Sequence, residues 1–200
     1  MGNTDKFDSI ASNYDNPERH HIAKVASDAI KEYLGDAKSK SAIDFGCGTG
    51  LVGMNLLSEF ESMIFLDASE NMLHIVETKI SEVDSGNAST LCFDFESSSQ
   101  SDLRADYIFM AQVLLHIQDY EALLAKLHAV LNDEGHLLIV DFNKTDKVVS
   151  DLVHNGFDQE QLKESMLKIG YKDIRSKTIY SGTKLFMNQD ASIFIMDAKK

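Results

Sequence analysis

The stretch Ser41-Ala-Ile-Asp-Phe-Gly-Cys-Gly-Thr-Gly50 constrains the fold more than any other part of this 200-residue chain. Ser41–Phe45 reads as a short buried strand running into a loop with glycine at 46, 48 and 50, and a helical run follows in Leu51–Phe60. Glycine at alternate positions lets the backbone turn with φ > 0 and come close to a ligand, because no Cβ intervenes. The unpaired N–H groups that open the next helix point at the same spot and favour a polar or anionic group there. Strand, loop and helix together imply a cradle for part of a nucleotide-like cofactor.

Two frames fit these residues. The dinucleotide fingerprint G-x-G-x-x-G stands at Gly48-Thr-Gly50-Leu-Val-Gly53, with an acid about twenty residues on at Asp67. That fingerprint wants its first glycine at the end of the strand, and Gly48 lies beyond a glycine already spent on the turn. The other frame, Asp44-Phe-Gly-Cys-Gly-Thr-Gly50, resembles motif I of the class I S-adenosylmethionine (SAM) dependent methyltransferases. In that family the loop formed here by Gly46, Cys47, Gly48 and Gly50 passes under the methionine part of SAM.

Composition narrows the partners. A hydrophobic fraction of 44% and a charged fraction of 26% are ordinary for a globular protein, and the length suits one α/β domain. The formal charge of −13 argues against a nucleic-acid backbone or an anionic membrane as partner. Cys47 and Cys92 show no metal-type or C-x-x-C spacing, and the histidines show no ligand spacing, so no metal site is expected. Met1–Ile10 is polar and no apolar run is long enough to span a bilayer, which points to a reducing cytoplasm.

Along the chain, Phe7–Asp15 is an arm with aromatics near its ends, and Asn16-Pro17 caps a helix that runs to Gly35. Ser62–Asp67 reads as a buried strand ending in an acid, and Ser69 caps the next helix. Ala88–Phe95 is a third strand, Glu96–Asp102 a serine-rich loop, and Ala105–Met110 a fourth strand. A helix over Asp119–Leu131, a turn at Asn132–Gly135 and a strand over His136–Phe142 follow. Val148–Val153 has the pattern of a short helix. Asp158-x-x-Gln161 reads as a capping box, with Phe157 and Leu162 as a hydrophobic staple. Strands Ile174–Ser181 and Ala191–Ala198, joined by Gly182–Asp190, close the chain. Strand–helix alternation implies a parallel sheet, and the final helix-free pair implies one antiparallel strand.

The arm resembles the F-D-x-x-A-x-x-Y-D opening of methyltransferases related to ubiquinone and menaquinone biosynthesis. With motif I, the acidic strand ends and the Leu131–Phe142 turn-strand, the resemblance covers nearly the whole chain. It implies a single Rossmann-like domain over residues 1–200, doubly wound, with strand order 3-2-1-4-5-7-6 and strand 7 antiparallel. Residues 1–35 would form a lid.

A carboxylate at the second strand's end can accept both hydroxyls of a ribose, so Asp67 fits either frame. The resemblance makes Asp94-Phe95 the adenine-binding pair, flanked by Ala68 and Met72, and lets Asp44 hold the amino end of SAM or bond to loop amides. It also places His116, just past the fourth strand, as a catalytic base or a local hydrogen-bonding group. Tyr14 is a catalytic and acceptor-wall candidate, and His154 a further acceptor-wall residue. The run Ala111-Gln-Val-Leu-Leu-His116 departs from the N-P-P-[YF] of amino-group methyltransferases. The expectation is methyl transfer to a small molecule, with S-adenosylhomocysteine (SAH) as product and the oligomeric state open between monomer and homodimer. The alternatives are a SAM-binding protein without transferase activity and an NAD-dependent oxidoreductase.

Overall fold

In the computed structural model, which describes residues 14–95 and 102–200, strands and helices alternate through most of the chain from the glycine-loop strand onward, and the last two strands follow one another directly. Helix α1 (Pro17–Lys31) starts where expected: the Asn16 side chain accepts the Arg19 N–H at 2.9 Å, and Pro17 fills a position whose N–H would be unpaired. It buries Ile22, Ala26 and Ile30. Strand β1 (Ser41–Phe45) leads into α2 (Leu51–Leu56), which tightens into a 3₁₀ turn at Leu57–Glu59. The run expected to be one helix to Phe60 is therefore two short pieces, and it contains Gly53 and Asn55, both weak helix formers.

β2 (Ser62–Asp67), α3 (Glu70–Glu82) and β3 (Ala88–Cys92) form the next unit, with the Ser69 hydroxyl accepting the Met72 N–H at 3.1 Å. β4 (Ala105–Ala111) runs into a 3₁₀ turn at Leu114–His116, then α4 (Tyr120–Val130) and β5 (Leu131–Phe142). Asp158 caps α5 (Gln159–Ile169) through the Glu160 and Gln161 N–H groups, and Phe157 and Leu162 are both buried beside it. β6 (Lys172–Phe186) and β7 (Gln189–Lys199) finish the sheet.

The seven strands lie in the order β3-β2-β1-β4-β5-β7-β6, with β7 antiparallel to both neighbours and the other pairs parallel, as the resemblance implied. Strand order reverses between β1 and β4, and their carboxyl ends open onto the same edge. In an open α/β sheet this is where ligands bind. The core centres on β4, β5 and β7, where Ile108, Phe109, Leu137, Leu138 and Phe194 are fully buried.

Other features differ from expectation too, including α1, which stops at Lys31 short of Gly35. The turn at Asn132–Gly135 lies inside β5 as an irregularity of the β4–β5 register, so the strand begins at Leu131. β6 and β7 extend through the expected Gly182–Asp190 loop to a two-residue turn, Met187-Asn188, with φ of 48° and 64°. Positive φ at both positions matches the twist of paired strands. No helix forms over Val148–Val153: Val148 is buried, whereas Val149 and Leu152 are exposed, so no common apolar face drives one. β3 stops at Cys92, leaving Asp94 two residues beyond it. Residues 7–13 of the arm and Glu96–Ser101 of the serine-rich loop lie outside the described residues. Among the described residues no helix is long and apolar enough to cross a membrane.

Candidate active site

The glycine loop is built to be thin. Gly46, Gly48 and Gly50 have φ of 64°, 53° and 78°, a region that costs side-chain-bearing residues strain. A Cβ on Gly46 would lie 2.7 Å from Val113, and one on Gly53 would lie 2.4 Å from the Phe65 ring. The loop's amides are largely spent within the protein. Cys47 N donates to Leu66 O, Gly50 N to Cys47 O, and Gly48 N to Asp67 Oδ2 at 2.8 Å. Gly53 N donates to Asp44 Oδ2 at 3.0 Å. The loop therefore offers a bare glycine surface more than a nest of N–H donors, which counts against a pyrophosphate there.

A cavity opens beside this loop at the carboxyl ends of β1, β2 and β4. On one side stand Asp67, Ala68 and Met72. Asp67 takes the Gly48 N–H and, through Oδ1, the Ser69 N–H at 2.9 Å. Next to them Phe93 and Phe95 pack edge-on at 4.8 Å, with Phe45 against Phe95, and Asp94 lies exposed on the rim. Lys126 reaches from α4 to the carbonyl of Phe95 and holds this rim from behind.

Opposite, Tyr14 and Arg19 cover the glycine loop. The Arg19 guanidinium lies 3.5 Å from the Tyr14 ring centroid and donates to the Tyr14 carbonyl at 3.0 Å. Burial pushes the Tyr14 hydroxyl above its ordinary pKa, and Arg19 only partly offsets this. Asp15 bonds to Thr49 and to Lys79. Burial works against ionisation of Asp15, but these two bonds hold its carboxyl below the usual range.

The third wall is the segment Ala111–Ile117. Gln112 takes φ of 57°, uncommon for a residue with a side chain, and its N–H is held by Val140 O at 2.7 Å. His116 closes the 3₁₀ turn and lines the cavity. Behind it, fully buried Asp141 accepts the Leu115 N–H at 3.1 Å and the Phe142 N–H at 2.8 Å. Burial raises the Asp141 carboxyl to about 7 in spite of those bonds.

The methyltransferase-domain family matches residues 19–183, which include α1 from its third residue, every element from β1 to α5, and the whole cavity beyond Tyr14. The chain belongs to this family. Curated methyltransferases resemble it at low identity. The ubiquinone biosynthesis O-methyltransferase of Coxiella burnetii is 25% identical over 147 residues, covering 71% of this chain and 62% of that protein. Phosphoethanolamine N-methyltransferase 2 of Caenorhabditis elegans is 29% identical over 161 residues, covering 74% of this chain and 34% of the relative. The chain thus spans less than two thirds of either relative's length. Among solved structures, phosphoethanolamine N-methyltransferase 2 of Haemonchus contortus, in complex with phosphomonomethylethanolamine and SAH, superposes with a TM-score of 0.73 at 18% identity. That match covers 87% of this chain and 52% of the other.

Within this methyltransferase domain the cavity brings together Tyr14, Gly46, Cys47, Gly48, Asp67, Ala68, Met72, Asp94, Phe95 and His116. Three residues singled out in the sequence are not among its lining. Asp44 lies beneath the loop, 3% exposed and bonded to Gly53; burial, with Asp67 nearby, raises its carboxyl to about 8. Gly50 serves as the N-cap of α2 and packs toward Val76. His154 faces the back of the third wall: Nε2 donates to Ile117 O at 2.8 Å, and its ring packs edge-on against Tyr120.

Sequence reasoning missed Arg19, Thr49, Lys79 and Gln112. Arg19 had left a signal. It stands in the first turn of α1, where the helix dipole disfavours a cation, so its position calls for another reason.

Proposed function

We propose that this chain is a SAM-dependent methyltransferase whose acceptor is a small molecule held between Tyr14 and His116. The observation that carries the reading is a single cavity with a carboxylate at the end of β2, an aromatic rim after β3 and a histidine-bearing turn after β4. The chemistry of these walls fits SAM. Asp67 has the position to accept ribose hydroxyls, Ala68, Met72 and Phe95 offer apolar surface to a purine, and Asp94 can accept from its exocyclic amine. Arg19 is the cation among the described lining residues and is suited to the carboxylate of the methionine part. When bound, SAM supplies an electrophilic methyl group on a sulfonium.

The protein's own part is to position and to exclude water. Ile22, Ala23 and Ala26 of α1, with Ile117 and Leu123, give the remaining wall an apolar face for the body of an acceptor. His116 would take the proton that an acceptor hydroxyl loses as it attacks, or that an ammonium must lose before it can attack. Tyr14 shields the glycine-loop side of the cavity from solvent. The low-identity relatives and the family match support methyl transfer. The spent loop amides weigh against a dinucleotide.

A thermal-shift panel tests the reading. SAM and SAH should each raise the melting temperature. A ligand binding only the native state at a hundredfold excess over Kd adds about 2.7 kcal/mol. An equal or larger shift with NAD would remove SAM from the proposal.

A further inference from the structure

Three residues distant in sequence close a ring on the outer side of the glycine loop. Asp15 accepts from the Thr49 hydroxyl through Oδ1 and from Lys79 Nζ through Oδ2 at 2.7 Å. The same Lys79 Nζ donates to the Thr49 carbonyl at 2.7 Å. Each residue thus bonds to both of the others. Thr49 is 1% exposed and stands between Gly48 and Gly50, while the Asp15 and Lys79 side chains are 27% and 24% exposed. An exposed lysine late in α3 would ordinarily be a solvated charge favoured by the helix C-terminus. This one is turned onto the loop and shared between two oxygens instead.

What the ring holds is the cavity wall. Asp15 directly follows Tyr14, whose ring lies over Gly48, and Tyr14 carries Arg19 through a ring contact and a carbonyl bond. Neither Asp15 nor Lys79 lines the cavity.

We propose that Asp15, Thr49 and Lys79 are positioning residues for the methyl donor, clasping Tyr14 and Arg19 against the glycine loop so that the wall over the donor is assembled before it binds. The inference rests on the SAM reading for its ligand, but the clasp has consequences of its own that need no ligand. Breaking either side of the Asp15–Lys79 pair frees the same wall, so the two substitutions have one effect between them.

The test uses the full chain and SAH as the probe. Calorimetric titration compares the unsubstituted protein with Lys79→Met, Asp15→Asn, the double variant and Lys79→Arg, and melting of each without ligand reports stability. Each single substitution should weaken SAH binding about tenfold, the double should lose no more than either single, and Lys79→Arg should recover most of the affinity. Melting temperatures should stay close to that of the unsubstituted chain, since both side chains are partly exposed. Affinity within twofold in the single variants, losses that multiply in the double, or no recovery with Lys79→Arg would overturn the clasp.

A second reading works without ligand. The chain has no tryptophan, so Tyr14→Trp creates a lone reporter in the wall. Its emission should shift to longer wavelength when Lys79→Met is added. An unchanged spectrum would also overturn the clasp. If the spectrum shifts and the unsubstituted protein binds no SAH, the donor reading falls and the donor-positioning role falls with it, while the clasp stands as a structural contact.

Discussion

The two ends of the cavity are made in different ways. At the loop end, apart from the Asp15–Thr49–Lys79 clasp laid over it, the bonds that shape the loop join residues close in sequence: Ser69 N to Asp67, Gly53 N to Asp44 and Gly48 N to Asp67, at separations of 2, 9 and 19 residues. At the His116 end, the turn is held by Asp141 and His154, at separations of 26 and 37. The loop end meets its tight geometry with glycines. The other end places Gln112 at positive φ, a conformation costing on the order of 1–3 kcal/mol that its surroundings must hold. One end is a local motif and the other is assembled from the finished sheet. The first can be expected to survive changes elsewhere in the fold, whereas the second depends on β5 and the segment after it.

They share one device. A buried carboxyl stands beneath each turn, Asp44 under the loop and Asp141 under the His116 turn, and burial raises both.

The largest effect that sharpens this contrast is on turnover. With an acceptor that reacts, His116→Gln should lower kcat by about 10²–10⁴-fold while SAH affinity by calorimetry stays within a few-fold. An unchanged kcat would leave His116 as a wall residue only. Next comes pH. A carboxyl whose folded pKa is raised keeps a proton that the unfolded chain gives up, so stability falls as pH rises from about 4 toward the folded value and is flat above it. For Asp44 the window closes at about 8, and for Asp141 at about 7. Asp44→Asn and Asp141→Asn should each remove part of that slope. Relative to the unsubstituted chain, each variant should gain on the order of 2–4 kcal/mol between pH 5 and pH 8, measured by urea unfolding. A parallel pair of curves would show that neither carboxyl titrates in that range.

At the loop end, Asp67→Ala should cost about thirtyfold or more in SAH affinity and Asp94→Ala about tenfold or less. A charge-assisted hydrogen bond is worth roughly 1.5–3 kcal/mol, and Asp94 is exposed on the rim. The reverse ranking in titration would move the ribose away from β2. The smallest effect is expected from His154→Ala, which removes one bond to Ile117 and a ring contact with Tyr120. It should cost about 1 kcal/mol of stability and alter kcat more than donor affinity, because it loosens the His116 turn alone. A loss of SAH affinity equal to the loss of kcat would show that the two ends are not separable.

The same contrast explains what could be read before the fold was seen. The glycines at 46, 48 and 50 are in the sequence because the local backbone demands them, and Asp67 follows at a spacing set by one helix and one strand. The loop end and the sheet order were therefore legible, the order through the family resemblance. Asp44 is the partial exception: its partner, the Gly53 N–H, lies in the helix after the loop, where Gly53 packs against Phe65. His154 stands outside the cavity lining because its partner, Ile117, belongs to the segment after β4, 37 residues away in the chain. Lys79 looked like any late-helix lysine. The Met187-Asn188 turn carried no glycine, so the hairpin seemed to end earlier, and Val148–Val153 had helical spacing without a face to bury.

The position of β7 has a consequence for how the chain comes into being. This strand follows every other strand in the chain, yet it is laid between β5 and β6, with Ile193, Phe194, Ile195 and Met196 wholly enclosed. A growing chain emerges at roughly 5–20 residues per second. The loop end of the cavity can form as soon as β1–β4 are out, but β5 waits with an open flank until β7 arrives. During synthesis the His116 end is thus the last to be secured, and any ribosome that stalls before β7 leaves five strands paired, with one flank of β5 bare and β6 without a neighbour.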